Sequence, residues 1–412
     1  MTNTSVTIII PTYNRAHFLP ECLKALFAQT VRASEVIVIN DGSTDGTTGA
    51  IAPYRGRIIY LEKQNGGKAS ALNVGMAQAT GEFIWICDDD DISLPDALEL
   101  HLKKFESEPS ADFTYSGYLV GVPNKETNEI QIIESCGPFK GVYNKLFLSF
   151  ASGAAGPGIG FMSQQGMLVR KRCYDAAGPF DETLTRSEDF DMNLRLCRAF
   201  KGVPIERPTF IIRCHDGERG PSFDLHSIEK REARLLETDQ AVLRKLYENV
   251  ELYEYVDGNG SNDLKTFRRV EALLTRARIF ANWYLDDLVM DDLSQLQVLV
   301  REGASSIDES TMNGIFYLES LYERRGKKKY SKSINKIAQN LVCLPGGDEH
   351  FSRTAARYYF WKALESFRKG ERARAFQSLL SSTKIMVLRH FPFSRLTRRG
   401  CNNDMPRDLR NG

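Results

Sequence analysis

Phe83-Ile84-Trp85-Ile86-Cys87-Asp88-Asp89-Asp90-Asp91 is the stretch on which the reading of the chain turns. Five consecutive apolar residues fit a strand buried on both faces, as in a parallel sheet. Four carboxylates follow at its C-terminal end, the side on which open α/β sheets bind ligands. Two unit charges about 4 Å apart repel by roughly 4 kcal/mol at an effective dielectric near 20. A divalent cation would relieve that repulsion, and hard cations such as Mg²⁺ favour carboxylate oxygens together with substrate phosphates. The same residues also read as a solvated acidic turn before a helix, with Ser93 as cap and Pro95 in the first turn. The flanking segments choose between the two.

Upstream, Val6-Thr7-Ile8-Ile9-Ile10 is a β-branched run closed by Pro11 and reads as a first strand. Phe18, Leu19, Cys22, Leu23, Leu26 and Phe27 follow at helical spacing. Glu35–Asn40 predicts a second strand, Arg57–Leu61 a third and Ala69–Gln78 a helix, before the strand at Phe83. Alternating strands and helices with short joints predict a sheet covered by helices on both faces. Downstream, Asp112–Val122 and Glu129–Glu134 read as paired strands, so the sheet is expected to be mixed but mostly parallel. Further elements are predicted at Gln165–Arg170, Ser187–Phe200 and Thr209–Cys214. Residues 151–160 form a Gly/Ala/Pro-rich segment read as an active-site loop.

From about Asp224 the chain turns Leu-, Ala-, Arg- and Glu-rich, with helices expected near 225–250, 264–301, 309–324, 331–343, 353–369 and 371–389. The domain reading is therefore 1–223 as an α/β catalytic domain, 224–400 as an all-α domain and 401–412 as a flexible tail. Formal net charge is +1 over 412 residues, which speaks against a nucleic-acid partner. The eight cysteines contain no C-x-x-C pair, and the N-terminus is polar; both point to a reducing, cytoplasmic setting without a signal peptide. No stretch approaches the length of an apolar membrane span. Basic clusters at 324–329 and 386–399 read either as a peripheral contact with an anionic membrane or as solvated charge.

Pro11-Thr12-Tyr13-Asn14 stands where a dinucleotide fold would carry glycines, and neither G-x-G-x-x-G nor a P-loop motif is present. Tyr13 reads as a stacking platform for a nucleobase, or as a plain turn residue. Asp41 can accept from a pyrimidine imide or a ribose hydroxyl, and can equally close an Asx-turn before Gly42. Asn65-Gly66-Gly67-Lys68 opens a helix whose free amides and lysine suit a phosphate or sugar oxygen, or forms an ordinary glycine turn.

Together these segments resemble the family 2 glycosyltransferases. The resemblance rests on Pro11-Thr12-Tyr13-Asn14, Asp41-Gly42-Ser43-Thr44-Asp45, Asn65-Gly66-Gly67-Lys68 through Asn73 and Asp88-Asp89-Asp90-Asp91. It continues through Gly178-Pro179-Phe180-Asp181-Glu182 and Ser187-Glu188-Asp189-Phe190-Asp191 to His215, covering roughly residues 5–222. It implies the A-type, nucleotide-diphospho-sugar-binding fold. It also implies donor contacts from Pro11, Thr12, Tyr13, Asn14, Asp41, Gly66, Lys68, Asp88 and Asp89. Asp90, with His215, would hold a Mg²⁺ or Mn²⁺ at the diphosphate, and Asp189 beside Glu188 would be the catalytic base. The family's D-x-D motif has a small neutral middle residue where this chain has Asp89, a departure that the resemblance does not explain.

The implied reaction moves a sugar from a nucleotide-diphospho-sugar to a saccharide or lipid-linked hydroxyl. A base must take the hydroxyl proton and the leaving diphosphate must be stabilised, so one direct displacement would invert the anomeric centre. A sugar nucleotidyltransferase or a non-catalytic binding module are the alternatives. The first should carry a Gly-rich basic loop after strand one, and the second would tolerate broken acidic motifs.

Overall fold

A computed structural model describes residues 4–124, 129–137, 146–151, 162–214, 228–256, 266–301 and 309–342, with Tyr358, Lys362 and Ser378. The chain divides into two compact units. The first holds 1–251 together with 282–285, and the second begins around 252 and takes the remaining helices.

The first unit opens with β1 (Val6–Thr12), α1 (Leu19–Phe27), β2 (Glu35–Asn40), α2 (Thr47–Ala50), β3 (Ile59–Glu62), α3 (Lys68–Gln78), β4 (Phe83–Ile86), β5 (Ile92–Ser93) and α4 (Ala97–Ser107). It continues with β6 (Phe113–Ser116), β7 (Tyr118–Pro123), β8 (Ile130–Cys136), α5 (Leu146–Ala151), β9 (Met167–Arg170), α6 (Lys171–Ala177), α7 (Glu188–Ala199), β10 (Gly202–Ile205), β11 (Phe210–Arg213) and α8 (Ile228–Asn249). The main sheet has seven strands in the order β10-β6-β9-β4-β1-β2-β3, and a smaller sheet runs β5-β11-β7-β8. In the main sheet β1 runs parallel to β2 and β4, β2 to β3 and β6 to β10, whereas β9 runs antiparallel between β4 and β6. The mixed, mostly parallel sheet expected from the sequence is the one observed.

The apolar runs explain why β1 and β4 lie at its centre. Every residue of β1 and β4 is buried, as expected where helices cover both faces. Helix α3 lies close on the sheet because residue 75 is glycine. A Cβ there would stand 2.6 Å from Ile9 Cγ2 and 2.8 Å from Ile39 Cδ1. The register Thr12↔Asn40 ends β1 and β2 level, while β4 ends at Ile86 beside Ile9, so the polar residues after all three strands fall on one edge of the sheet.

Two expectations are corrected. The segment Asp112–Val122 is two strands, β6 in the main sheet and β7 in the smaller one, separated at Gly117. A Cβ at Gly117 would meet the Cys136 carbonyl at 2.1 Å, so this crossing requires glycine. The helix expected over 264–301 is two, α9 (Thr266–Asn282) and α10 (Asp286–Arg301), broken where Tyr284 takes a left-handed φ of 60°. Between them, the Trp283 indole donates to the Ala151 carbonyl at 2.7 Å. Strands β5 and β10 are additions, both too short to show a period.

In the second unit, α9 and α10 are followed by α11 (Glu309–Arg324) and α12 (Lys328–Val342). Buried ionic pairs join them: Arg276 of α9 meets Asp292 of α10 at 2.6 Å. Glu319 of α11 accepts from Asn335 Nδ2 and Tyr358 Oη, each at 2.9 Å. Part of the basic cluster at 324–329 serves this packing, since Arg325 donates to the Ala281 carbonyl and Lys327 pairs with Asp286. Among the described residues no helix is long and apolar enough to cross a membrane. The segments 151–160 and 386–399, and the helices expected at 353–369 and 371–389, lie outside the described residues save Ala151, Tyr358, Lys362 and Ser378.

Candidate active site

That edge of the sheet carries the site. Asp41, just past β2, is buried and is the most heavily hydrogen-bonded of the expected residues. Its Oδ1 accepts from Lys63 Nζ at 2.7 Å and the Gly66 amide at 3.0 Å. Its Oδ2 accepts from Asn65 Nδ2 at 3.0 Å and the Gly67 amide at 2.8 Å. One carboxylate thus shapes the loop that starts α3, and Gly67, at φ 89°, supplies the turn that no L side chain takes readily. Asn14, with a left-handed φ of 53°, performs a similar task next door. Its amide donates to Ser43 Oγ at 2.9 Å and its Oδ1 accepts from the Thr44 amide at 2.8 Å. Tyr13 stands half-buried between Thr12 and Asn14 at the end of β1.

Lys68, the first residue of α3, reaches across to the acidic run. Its Nζ lies 2.7 Å from Asp88 Oδ1 and 3.6 Å from Glu188 Oε1. Burial works against the Lys68 charge, but Asp88, Glu188 and Asp189 outweigh it and raise its pKa above the ordinary range. The same lysine therefore joins the strand-end carboxylates to the pair that opens α7. Burial, reinforced by Asp189, pushes Glu188 up from the usual carboxylate range even though Lys68 pulls it down. Asp189 is less buried, and its Oδ1 accepts from the Phe190 amide at 2.8 Å.

Asp89 lies in the turn past β4. There burial and neighbouring Asp90 push the Asp89 carboxyl up, while the Thr12 hydroxyl and Arg15 oppose the shift. Asp89, the extra acid of the motif, is thus buried near Thr12 and Arg15. Asp90 and Asp91 are also buried.

Residues that the sequence reading missed hold the backbone of this run. Buried Arg213, at the end of β11, donates from Nε to the Asp90 carbonyl at 3.0 Å and from its amide to Asp91 Oδ1 at 3.1 Å. It also pairs with Glu21 of α1 and stacks over the Phe18 ring at 5.0 Å. Gln165 accepts the Asp88 amide on Oε1 at 2.6 Å and donates from Nε2 to Ser93 Oγ at 2.9 Å. An arginine closing the apolar run Phe210-Ile211-Ile212 was the one available signal for the first. Gln165 carried none.

The later motifs act partly as clasps. Asn73 of α3 donates to the Phe180 carbonyl at 3.0 Å and to Glu182 Oε1 at 2.8 Å, and accepts the Phe180 amide at 2.8 Å. Asp181 pairs with Lys245 of α8 at 2.6 Å. Asp191 pairs with Arg195 at 2.7 Å, which in turn donates to the Ala177 carbonyl. These bonds tie α3 to the Phe180–Glu182 segment and α7 to the end of α6. His215 lies outside the described residues.

The donor set suits a divalent cation in one specific sense. Buried carboxylates at 89, 90 and 91 follow one another, and burial with neighbouring Asp90 raises the Asp89 pKa, so a nearby cation would favour charge that burial disfavours. Among the described residues no three His, Cys, Asp or Glu side chains form a ready-made cage. Mg²⁺ held by one or two carboxylates and completed by substrate phosphates requires none.

Residues 7–177 match the family model described as Glycosyl transferase family 2. An uncharacterized glycosyltransferase of Rickettsia conorii is 32% identical over 235 residues, covering 55% of this chain and 37% of that one. The chondroitin synthase of Pasteurella multocida is 40% identical over 114 residues, 27% of this chain and 12% of its own. The chain thus spans little more than a third of the first of these relatives and about an eighth of the second. The crystal structure of S. aureus TarS 1–349 in complex with UDP-GlcNAc aligns over 89% of this chain and 92% of its own, with 17% identity and a TM-score of 0.47. With the family model spanning β1 through α6, the N-terminal part of this chain is similar to glycosyl transferase family 2.

Proposed function

We propose that the protein is an inverting, divalent-cation-dependent glycosyltransferase that moves a sugar from a nucleotide-diphospho-sugar to a hydroxyl of a saccharide or lipid-linked acceptor. The observation that carries this reading is Lys68, whose 2.7 Å and 3.6 Å contacts with Asp88 and Glu188 join the donor side of the site to the acceptor side. The donor's base and ribose would lie along Pro11, Thr12, Tyr13 and Asp41, with the diphosphate near Gly66, Lys68 and Asp88. Asp90 would hold the Mg²⁺ or Mn²⁺, with His215 as a further contact. The bound cation would supply positive charge to the leaving diphosphate.

Asp189 is the base in this reading. It is more exposed than Glu188 and so can meet an acceptor hydroxyl, whereas Glu188 is buried against Lys68. As the acceptor oxygen bonds to the anomeric carbon, its proton passes to the Asp189 carboxylate and the bond to the nucleoside diphosphate breaks. No carboxylate is required as a nucleophile, so configuration inverts. The likeness to a chondroitin synthase supports a saccharide acceptor in surface-polymer synthesis. That every described cysteine is a free thiol supports action on the cytoplasmic side, free or peripherally at the membrane.

The test is release of nucleoside diphosphate from a panel of sugar nucleotides, with Mn²⁺ and with EDTA, for the native chain and Asp189→Asn. The expected result is metal-dependent release that the variant abolishes by at least about a hundredfold while still binding donor. Native rates in Asp189→Asn would overturn the base assignment.

A further inference from the structure

Ser187, the residue ahead of Glu188 and Asp189, stands where a helix N-cap belongs, and serine is among the preferred capping residues. Its hydroxyl makes no capping bond to α7. Its backbone is instead left-handed, at φ 63° and ψ 17°, a conformation costing a non-glycine residue about 1–2 kcal/mol. The hydroxyl turns to α8, where Ser187 Oγ lies 2.8 Å from Thr238 Oγ1. Thr238 can donate its own proton to the Leu235 carbonyl at 3.0 Å, and when it does Ser187 is the donor in that pair unless its proton is turned to a neighbouring carboxylate.

Asp239 comes next in α8. It is 3% exposed and shares a helix face with buried Val242 and Leu243, at the i, i+3, i+4 spacing of core residues. An acid in such a place is costly unless it is bonded or neutral. It touches the Ser187 hydroxyl, and Arg186, Glu188 and Asp189 are the charged groups facing it from the start of α7. Burial raises its pKa to about 7, with Ser187 and Arg186 opposing and Asp189 and Glu188 adding. Protonated, Asp239 can donate to Ser187 and complete a one-way chain from Asp239 to Ser187, to Thr238, to the Leu235 carbonyl.

We propose that Asp239 and Thr238 of α8 are positioning residues that grip Ser187 from behind and so aim Asp189 at the acceptor hydroxyl. Neither touches the reacting atoms. The inference rests on Asp189 being the base and names a second layer that the sequence motifs do not contain. It also gives α8, which follows the segment matched by the family model, a part in the chemistry.

The experiment compares donor KM, kcat and the pH profile of kcat in the native chain, Asp189→Asn, Asp239→Ala, Asp239→Asn and Thr238→Val. Asp239→Ala should lower kcat about tenfold at unchanged donor KM. Asp239→Asn keeps a hydrogen-bonding partner for Ser187 and should recover most of that loss. Having no ionisable group, it should move the neutral-range limb of the profile to lower pH, because no charge then arises beside Glu188 and Asp189. Thr238→Val, of the same shape but without the hydroxyl, should lower kcat alone and serves if Asp239→Ala does not fold. Retained transfer in Asp189→Asn would sink the base assignment itself. A dead Asp189→Asn beside native kcat and an unmoved profile in Asp239→Asn and Thr238→Val would sink only this inference.

Discussion

Replacing Asp41 by Asn tests how the donor side of the site is built. The native carboxylate receives five contacts, of 2.7 and 3.0 Å on Oδ1 and 3.0, 3.2 and 2.8 Å on Oδ2, from Lys63, Asn65, Gly66 and Gly67. A carboxamide keeps one oxygen. Its best orientation leaves that oxygen on Asn65 and Gly67 and turns an NH₂ toward Lys63 and Gly66, donor against donor. Lys63 is 20% exposed in its side chain and can swing into water, so it limits the damage. One charge-assisted bond is lost and the others weaken, which amounts to about 2–3 kcal/mol. For a unit of roughly this size the melting temperature should fall by roughly 4–12 °C. Tryptophan fluorescence suits the assay because Trp85 and Trp283 both lie in the first unit. Donor KM should rise as well, since Lys68 follows directly on Gly67. Lys63→Met is the control and should cost under about 1 kcal/mol. A variant melting within 2 °C of the native chain by this estimate, or a control costing as much as Asp41→Asn, would refute the idea that the two backbone amides carry the loop.

Asp90→Ala should weaken donor binding in Mn²⁺ but leave the EDTA value unchanged, as titration calorimetry can establish; equal loss under both conditions would point to a role unrelated to metal. Gly75→Ala should destabilise the first unit by about 1–3 kcal/mol, because the added methyl would collide with Ile9 and Ile39. Urea denaturation measures this, and a neutral result would mean that α3 can lift without penalty. Arg213→Met should cost about 3 kcal/mol and raise donor KM, since it removes the partner of Glu21 and the donor to the Asp90 carbonyl. Steady-state kinetics with an unaltered donor KM would show that the acidic run keeps its shape unaided.

The central sheet was legible because β1, β2 and β4 are long apolar runs ending in polar turns, and burial on both faces permits little else. The strand at Asp112–Val122 was misread because Tyr118-Leu119-Val120 continues the apolar character of β6 without pause. Only Gly117 marks the change of sheet, and a lone glycine has many meanings. Tyr284 likewise breaks a run of strong helix formers with no proline or glycine to announce it. At the site, the motifs named Lys68, Asp88 and Glu188, and both acids stand within ion-pair distance of the lysine. What they do for each other was hidden. Asn14 and Asp41 spend their hydrogen bonds on loops, and Asp239 looked like one more polar residue in a helix until its burial could be seen.

One feature of the main sheet bears on how the chain is made. β4 lies between β1 and β9, and β9 is synthesised about eighty residues after β4. At 5–20 residues per second that is roughly 4–16 s during which a wholly apolar strand has one open edge on the nascent chain. Such an edge invites pairing with other chains. Slowed translation between Asp91 and Met167 should therefore favour aggregation, and chaperone capture should be strongest in that window.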